Sequence, residues 1–330
     1  MGGGHYDRDA HEALTTTRVH KPREEVFAQR KMHPSLNPFG VAMRESRDSD
    51  NHPNSRAIIL VMDQTGSMQD IPENLAKKTL PKLMTTLIDE GTLADPQVMF
   101  MAIGDAEASG EREESPLQAG QFESEGSLMD KDLTNIHLEG GGGGNEGESY
   151  DLALYFAARH TSIDCFEKRG EKGYMFITGD EPCFSRVSAK IVKRVIGDDI
   201  KRDIPIDDII AEVSKRYHVF FLIPDLPRRQ YAGCEASWRK RLGDNVIGQE
   251  SPDDTSLVAA TLIGLTEGTY SDLSEVAPAL KKRGVNKDQA ARVYRAVAQY
   301  AAAIGRGGER PAAEDKEPPT GQGKGRTRRL

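Results

Sequence analysis

The sequence predicts an α/β fold in which a doubly wound, mostly parallel sheet is flanked by helices. Short apolar runs of strand length alternate along the chain with segments whose apolar residues recur at helical spacing. The runs are apolar on both faces, as the strands of a sheet covered by helices on each side must be. Repetition of a strand and then a helix implies right-handed crossovers between parallel strands.

Four apolar runs are predicted as the central strands, at 57–62, 98–103, 174–178 and 219–223. Leucine, methionine and isoleucine recur every three or four residues within 80–88, and isoleucine and valine do so within 206–213. This spacing predicts two amphipathic helices. Pro81 must either start the main part of the first helix or kink it, because proline does not fit an interior helical turn.

The two ends of the chain differ in composition from the core, which is predicted to span residues 56–270. Residues 1–55 are rich in charge, histidine and proline and show no sustained period of 3.6 or 2. They are therefore predicted to form an extended N-terminal arm lying on or beside the core. Residues 306–330 are mostly glycine, proline, glutamate, lysine and arginine, so they are predicted to be a disordered tail.

Residues 271–305 are predicted to form a helical hairpin that packs on the core. Its second helix has a clear beginning, because Asn286 and Gln289 stand at the spacing of a capping pair. Apolar residues then recur on one face, and Gly305 provides the stop signal. Another helix, over 255–265, is apolar enough to pack directly on the sheet.

The charge of the chain argues against a nucleic-acid binder, because acidic residues exceed basic ones by 52 to 44. One basic cluster lies in the tail, and we interpret it as solvated rather than as a nucleic-acid contact; it comprises Lys324, Arg326, Arg328 and Arg329. Trp238 and the basic run 239–241 fit either a surface patch or a helix with one anchored aromatic side chain.

Membrane insertion and secretion are not expected. The longest apolar stretches are of strand length, far below the roughly 20 residues that cross a bilayer. The first residues lack the basic and apolar regions of a secretion signal, so a cytoplasmic location is expected. The three cysteines are odd in number and widely spaced, which fits reduced thiols better than a disulfide framework or a zinc site.

The loop that follows the first predicted strand places one carboxylate and two hydroxyls at alternate positions, in Asp63, Thr65 and Ser67. In an open parallel sheet, the loops at the carboxyl ends of the strands form the ligand crevice. Hard oxygen ligands in a compact cluster suit Mg²⁺ or Mn²⁺. Taken alone, the pattern fits a turn with a helix cap equally well.

Two further segments favour a metal site. The strand predicted at 174–178 is followed by Asp180, which again places a carboxylate at the carboxyl end of a strand. The glycine-rich segment 139–149 offers a third loop that can approach the same crevice, and it carries Asn145, Glu146 and Glu148.

These three segments resemble the metal-ion-dependent adhesion site of von Willebrand factor A domains, in the same order along the chain. The resemblance covers about residues 56–270 and implies a Rossmann-like fold with one Mg²⁺ held by Asp63, the hydroxyls of Thr65 and Ser67, and Asp180. Most such domains also have a threonine in the third loop, but this sequence has none between Asn135 and His160.

The third loop of this chain is more similar to that of the integrin β-subunit, in which a glutamate supplies the contact. The resemblance therefore assigns that role to Glu148, with Asn145 and Glu146 as substitutes.

The resemblance implies a protein-interaction module rather than an enzyme. A carboxylate from a partner's Asp or Glu would fill the open position on the Mg²⁺. Bacterial intracellular domains of this type work beside AAA+ ATPases, so such an ATPase is the partner class expected. Two alternatives remain open: a metal-dependent hydrolase or phosphatase that uses the same acidic cluster, and a scaffold that binds no metal.

Overall fold

A six-stranded sheet forms the centre of the protein in the computed structural model. The structure describes residues 6–79, 81–89, 91–107, 115–138, 147–226 and 233–308. The strands within these ranges are β1 (Arg44–Ser46), β2 (Ser55–Asp63), β3 (Asp95–Ile103), β4 (Leu117–Ala119), β5 (Thr161–Ile163), β6 (Gly173–Thr178), β7 (Arg186–Val187), β8 (Ile204–Pro205), β9 (Tyr217–Ile223) and β10 (Val246–Gly248).

The α-helices of the described ranges connect and cover these strands. They are α1 (Arg8–Val19), α2 (Arg23–Val26), α3 (Ile71–Asn74), α4 (Pro81–Asp89), α5 (Gly126–Asn135), α6 (Tyr150–Arg159), α7 (Asp164–Arg169), α8 (Ala189–Val195), α9 (Ile206–Val213), α10 (Cys234–Leu242), α11 (Thr255–Glu267), α12 (Val276–Lys282) and α13 (Lys287–Ala303). The remaining short helical turns are named below where they matter.

The sheet has the strand order β10-β9-β6-β2-β3-β4, and β4 alone runs antiparallel to its neighbour within it. The four predicted central strands therefore exist and are adjacent. β2 lies between β3 and β6, with Met62 opposite both Ala102 and Thr178. Because β2 and β6 are parallel neighbours, the residues that follow them meet at the same edge of the sheet.

Each face of the sheet is covered by helices, which confirms the predicted doubly wound α/β architecture. On one face, Ile58, Leu60 and Met62 pack in a core shared with α4, α11, α12 and α13. On the other face, Ile59 and Val61 pack in a core shared with α6, α9 and α10. Burial on both faces explains why these strands are apolar at every position rather than at alternate ones.

Pro81 starts α4, the first of the two arrangements that the sequence allowed. The preceding residues Leu75–Thr79 form a π-helical turn. In an α-helix the carbonyl of Lys77 would accept a hydrogen bond from the N–H of residue 81, and proline has none. The wider turn at this point therefore has a direct cause in the sequence.

The N-terminal arm is not extended throughout, in contrast to the expectation from the sequence. Its residues Arg8–Val19 form α1, which begins at Asp7, whose side chain accepts a hydrogen bond from Ala10 N. The buried residues of this helix are His11 and Arg18. Both are polar, and Arg18 pairs with Asp130 on α5. Apolar residues do not recur at helical spacing in such a helix, so the sequence gives no sign that it is helical.

The C-terminal helices α12 and α13 pack on the core. α12 and α13 contribute Val276, Leu280, Val293 and Val297 to the same apolar cluster as the sheet. The side chain of Asn286 caps α13 by accepting a hydrogen bond from Gln289 N at 2.9 Å. The predicted tail lies outside the described residues from position 309 onward. In the part of the chain that the structure describes, no helix is long and apolar enough to cross a membrane.

Candidate metal centre

The loop after β2 is organised by the side chain of Asp63, the last residue of that strand. Asp63 Oδ1 accepts hydrogen bonds from Thr65 N at 2.9 Å and from Thr65 Oγ1 at 2.6 Å. A single turn of 3-10 helix, Gly66–Met68, follows. An aspartate that binds the backbone two residues further on fixes a tight turn, which holds the hydroxyl of Thr65 beside its carboxylate.

The predicted oxygens of Asp63, Thr65, Ser67 and Asp180 come together. Thr65 Oγ1 lies 3.2 Å from Ser67 Oγ, and Ser67 Oγ donates a hydrogen bond to Asp180 Oδ1 at 3.0 Å. Together with the contact between Asp63 and Thr65, these form one continuous chain of oxygen contacts. It joins the loops that follow β2 and β6 at the carboxyl edge of the sheet.

Both carboxylates of this chain are fully buried, whereas Ser67 is half-buried and Gly66 is exposed. Burial, together with the negative charge of Asp180, raises the pKa of Asp63 to about 7 despite the hydrogen bonds that it accepts. No basic side chain among the described residues forms an ion pair with Asp63. Two carboxylates, those of Asp63 and Asp180, therefore lie in one buried cluster, whose solvent side is at Gly66 and Ser67.

Tyr150, at the start of α6, completes the hydrogen bonds of Asp63. Its hydroxyl donates to Asp63 Oδ2, the oxygen that the loop does not use. Burial and the two neighbouring carboxylates raise the pKa of Tyr150, so the phenol keeps its proton and remains a donor. Residue 179 must be glycine, because a Cβ there would overlap the Tyr150 hydroxyl. Sequence reasoning missed Tyr150, although Gly179 and the position just after the glycine-rich loop were signals.

Aromatic rings form the floor beneath these residues. Trp238 is fully buried, stacks on Phe221 with centroids 4.1 Å apart, and meets Tyr150 edge to face. Its indole N–H donates to the carbonyl of Glu181 at 3.0 Å. Of the two interpretations of Trp238, the anchored aromatic side chain is therefore the correct one. Through this bond α10 supports the loop that carries Asp180.

The third loop reaches the same region through Glu148. Glu148 is buried, pairs with Cys183 in a parallel bridge, and donates its backbone N–H to Pro182 O at 3.3 Å. Asn145 and Glu146 lie outside the described residues. No group of three or more His, Cys, Asp or Glu side chains is placed to hold a metal within the described ranges. The role of Glu148 therefore stays a prediction.

The donor set fits a hard divalent cation. Two carboxylates and two hydroxyls offer only oxygen atoms, which are the ligands that Mg²⁺ and Mn²⁺ prefer. Two buried carboxylates joined by one chain of hydrogen bonds repel each other, and a cation between them would offset this repulsion. The residues Asp63, Thr65, Ser67 and Asp180 would supply these oxygens.

Gln69, directly after the loop, has a strained backbone, with φ of 52° and ψ of −116°. Residues other than glycine rarely adopt such a conformation. Replacing Gln69 by glycine is expected to raise the free energy of unfolding by about 1 kcal/mol, less the entropy that glycine adds to the unfolded chain. Urea unfolding measures this change, with Gln69→Ala as the control that keeps the strain; equal stability of the two variants would contradict it.

No protein-family model matches this sequence, and no curated protein matches it. Solved structures overlap with it in part. The proximal thread matrix protein 1 from the mussel byssus has a TM-score of 0.39 at 10% identity, and the match covers 67% of this chain and 48% of that one. The pilus adhesin SpaC from Lactobacillus rhamnosus GG, in its open conformation, has a TM-score of 0.43 at 12% identity, covering 67% and 31%.

A further structure of the mussel protein, described as having a zinc-occupied MIDAS motif, has a TM-score of 0.37 at 10% identity and covers 64% and 48%. This chain thus spans from about a third to about half the length of these proteins. Because every one of these TM-scores is below 0.5, the similarity supports no inference about function.

Proposed function

We propose that this protein is a metal-dependent protein-interaction module that binds an acidic side chain of a partner through Mg²⁺ held by Asp63, Thr65, Ser67 and Asp180. The observation that carries the proposal is the continuous chain of oxygen contacts between these four side chains, which brings together two loops more than a hundred residues apart. We extend the ligand set to Glu148 on the resemblance stated above.

The charge balance of the centre supports a cation. Two buried carboxylates in one cluster are costly unless a positive charge offsets them. A bound Mg²⁺ supplies that charge and a coordination position that a carboxylate oxygen can occupy. Gly66 is exposed and Ser67 is half-buried, so a partner's side chain would approach the centre from this side. Mn²⁺, with the same preference for oxygen, is the expected substitute.

The hydrogen bonds of Asp63 argue against its acting as a nucleophile. A nucleophilic aspartate needs an oxygen free to attack and an acid or base nearby to move a proton. Here Thr65 donates to Oδ1 and Tyr150 donates to Oδ2, so both oxygens of Asp63 are held by donors. Thr65 also stands where the phosphatases with an aspartate nucleophile have their second acid.

For the partner, we propose a protein that presents an Asp or Glu, and an AAA+ ATPase is the class to test first. A cytoplasmic location and the absence of catalytic activity are part of the same proposal. All three come from the resemblance and from the composition of the chain.

Metal removal tests the centre directly. At a Mg²⁺ concentration 100 times its Kd, the free energy of unfolding is expected to exceed that in EDTA by about 2.7 kcal/mol, because only the folded protein assembles the site. Titration calorimetry with Mg²⁺ and Mn²⁺ is expected to show one binding event per chain. Absence of binding heat with both ions would contradict the proposal and favour a metal-free scaffold.

Partner capture tests whether the protein binds its partner through the metal ion. The immobilised protein is expected to retain its partner in Mg²⁺ and to release it in EDTA, and Asp63→Ala is expected to retain none. Asp50→Asn, at an exposed acidic residue before β2 and away from the centre, serves as the control. Replacing each Asp and Glu of the partner's contact region by Asn or Gln should reveal one residue on which capture depends. Capture that is equal in EDTA would contradict a metal-mediated contact.

A further inference from the structure

A second candidate site lies among the helices that cover one face of the sheet, α4, α11 and α13. A cavity of about 440 Å³ opens there, and three basic side chains line it: Lys78, Lys82 and Arg283. All three are exposed at its mouth. Such a concentration of positive charge stands out in a chain whose net charge is −8.

Two long helices point their N-terminal ends at this cavity. Ser256 and Leu257 belong to the first turn of α11, and Gln289 belongs to the first turn of α13; all three line the cavity. The N-terminus of a helix carries a partial positive charge and favours anions. The dipoles of both helices therefore add to the positive potential of the three basic side chains, while the N–H of Gln289 itself is already bonded to Asn286.

The acidic residues beside the cavity are already engaged. Asp253 lines it and accepts a hydrogen bond from Asn74 at 2.7 Å. The buried Asp254 pairs with Arg292 through both carboxylate oxygens, at 2.6 and 2.9 Å. Among the described residues that line the cavity, three basic side chains thus stand against one acidic side chain, Asp253.

From this arrangement we infer that the cavity binds a small, multiply charged phosphate-type anion, such as the phosphate chain of a polyphosphate or of a nucleoside triphosphate. The described side chains that line the cavity include no aromatic ring, so a nucleobase would gain no stacking energy from them. The recognised chemistry is therefore that of the phosphates alone.

A neighbouring cavity limits the length of this ligand. It measures about 340 Å³, lies on the other side of α4, and shares Lys82 and Thr86 with the first. Glu12 of α1 lines it, and Lys82 is its one Lys or Arg among the lining residues of the described chain. Past Lys82 the described lining offers an anion no further lysine or arginine, which argues for a compact ligand rather than a nucleic-acid strand.

The test uses inorganic triphosphate as the probe and ATP as the comparison, by titration calorimetry of the full chain in EDTA. Without Mg²⁺, binding at the metal centre does not contribute. Triphosphate is expected to bind, and ATP is expected to bind within a few-fold of the same affinity. ATP binding that exceeds triphosphate binding by more than tenfold would overturn the phosphate-only recognition, and no binding of either would overturn the site.

Variants assign the binding to the cavity. The double substitution Lys78→Gln with Lys82→Gln is expected to weaken triphosphate binding about 100-fold, roughly tenfold for each charged hydrogen-bond donor removed. Lys215→Gln, an exposed lysine just after α9 on the opposite face of the sheet, should leave binding unchanged. Asp63→Asn should also leave it unchanged, which separates this inference from the proposed function. Equal binding by the double variant and the wild type would overturn the assignment.

Discussion

Asp63→Asn is expected to abolish the Mg²⁺-dependent stabilisation while making the metal-free protein more stable. Asparagine has the shape of aspartate, so its oxygen can still accept the two hydrogen bonds from Thr65 that Oδ1 accepts at 2.9 and 2.6 Å. Its amide can donate to the Tyr150 hydroxyl, which then accepts. The charge is lost, however, and with it both the attraction for a cation and the repulsion from the buried Asp180.

The size of this gain should depend on pH. The pKa of Asp63 is about 7 in the folded protein, against roughly 3.9 for an unfolded aspartate. A raised carboxyl pKa means that the folded state binds more protons between these values, so its stability falls as pH rises from about 4 to 7. In EDTA, the advantage of Asp63→Asn should therefore grow over this window to roughly 1–4 kcal/mol and stay constant above it.

Denaturant unfolding at a series of pH values, with and without Mg²⁺, measures both effects. Asp50→Asn is the matched control, because it removes an exposed carboxylate that precedes β2, at the end of the strand away from Asp63, and should change neither quantity. A metal response that survives Asp63→Asn would rule out Asp63 as a ligand. If the variant is instead less stable than the wild type in EDTA at pH 8, the two carboxylates do not repel each other as described.

Trp238→Ala is expected to give the largest loss of stability, about 3–5 kcal/mol, because it removes a fully buried ring and leaves a cavity. The ring stacks on Phe221 and meets Tyr150, and its N–H holds the carbonyl of Glu181. Its removal therefore also loosens the loop of Asp180. We expect weaker Mg²⁺ binding even where the variant is still folded.

Trp238→Phe separates the two effects. Phenylalanine keeps an aromatic ring against Phe221 but cannot donate a hydrogen bond to Glu181 O, which is 3.0 Å from the indole nitrogen. We expect a smaller loss of stability, and a Mg²⁺ affinity reduced about tenfold, as is common when a partner that orients a ligand is removed. Calorimetry at a temperature where both variants are folded measures this. An unchanged affinity would show that the bond does not position Asp180.

The sheet and its crevice could be predicted because the patterns that indicate them lie within single short segments of the sequence. Strands buried on both faces must be apolar at every position, and this pattern locates β2, β3, β6 and β9 without knowledge of their neighbours. Once two parallel strands are adjacent, their carboxyl ends share an edge. The convergence of Asp63 and Asp180 follows from that rule, because each stands at or just after the end of its strand.

The features that were not predicted depend on contacts between distant segments. α1 buries polar rather than apolar residues, so no period indicates a helix, and Arg18 finds its partner Asp130 more than a hundred residues away. Tyr150 acts on Asp63 only because α6 crosses the end of the sheet where Gly179 leaves room. Neither the pairing of Arg18 with Asp130 nor the room that Gly179 leaves for Tyr150 can be predicted from the neighbouring residues in the sequence.

The two outer strands of the sheet, β4 and β10, have three residues each. A chain that adds itself to a sheet by backbone pairing needs a long unpaired border, and such borders also promote aggregation. Within the described residues both outer strands are short, so a partner would gain little by adding a strand to either of them. Under the proposed function we therefore expect recognition by side chains and loops, where the exchange of a single group can switch a contact on or off.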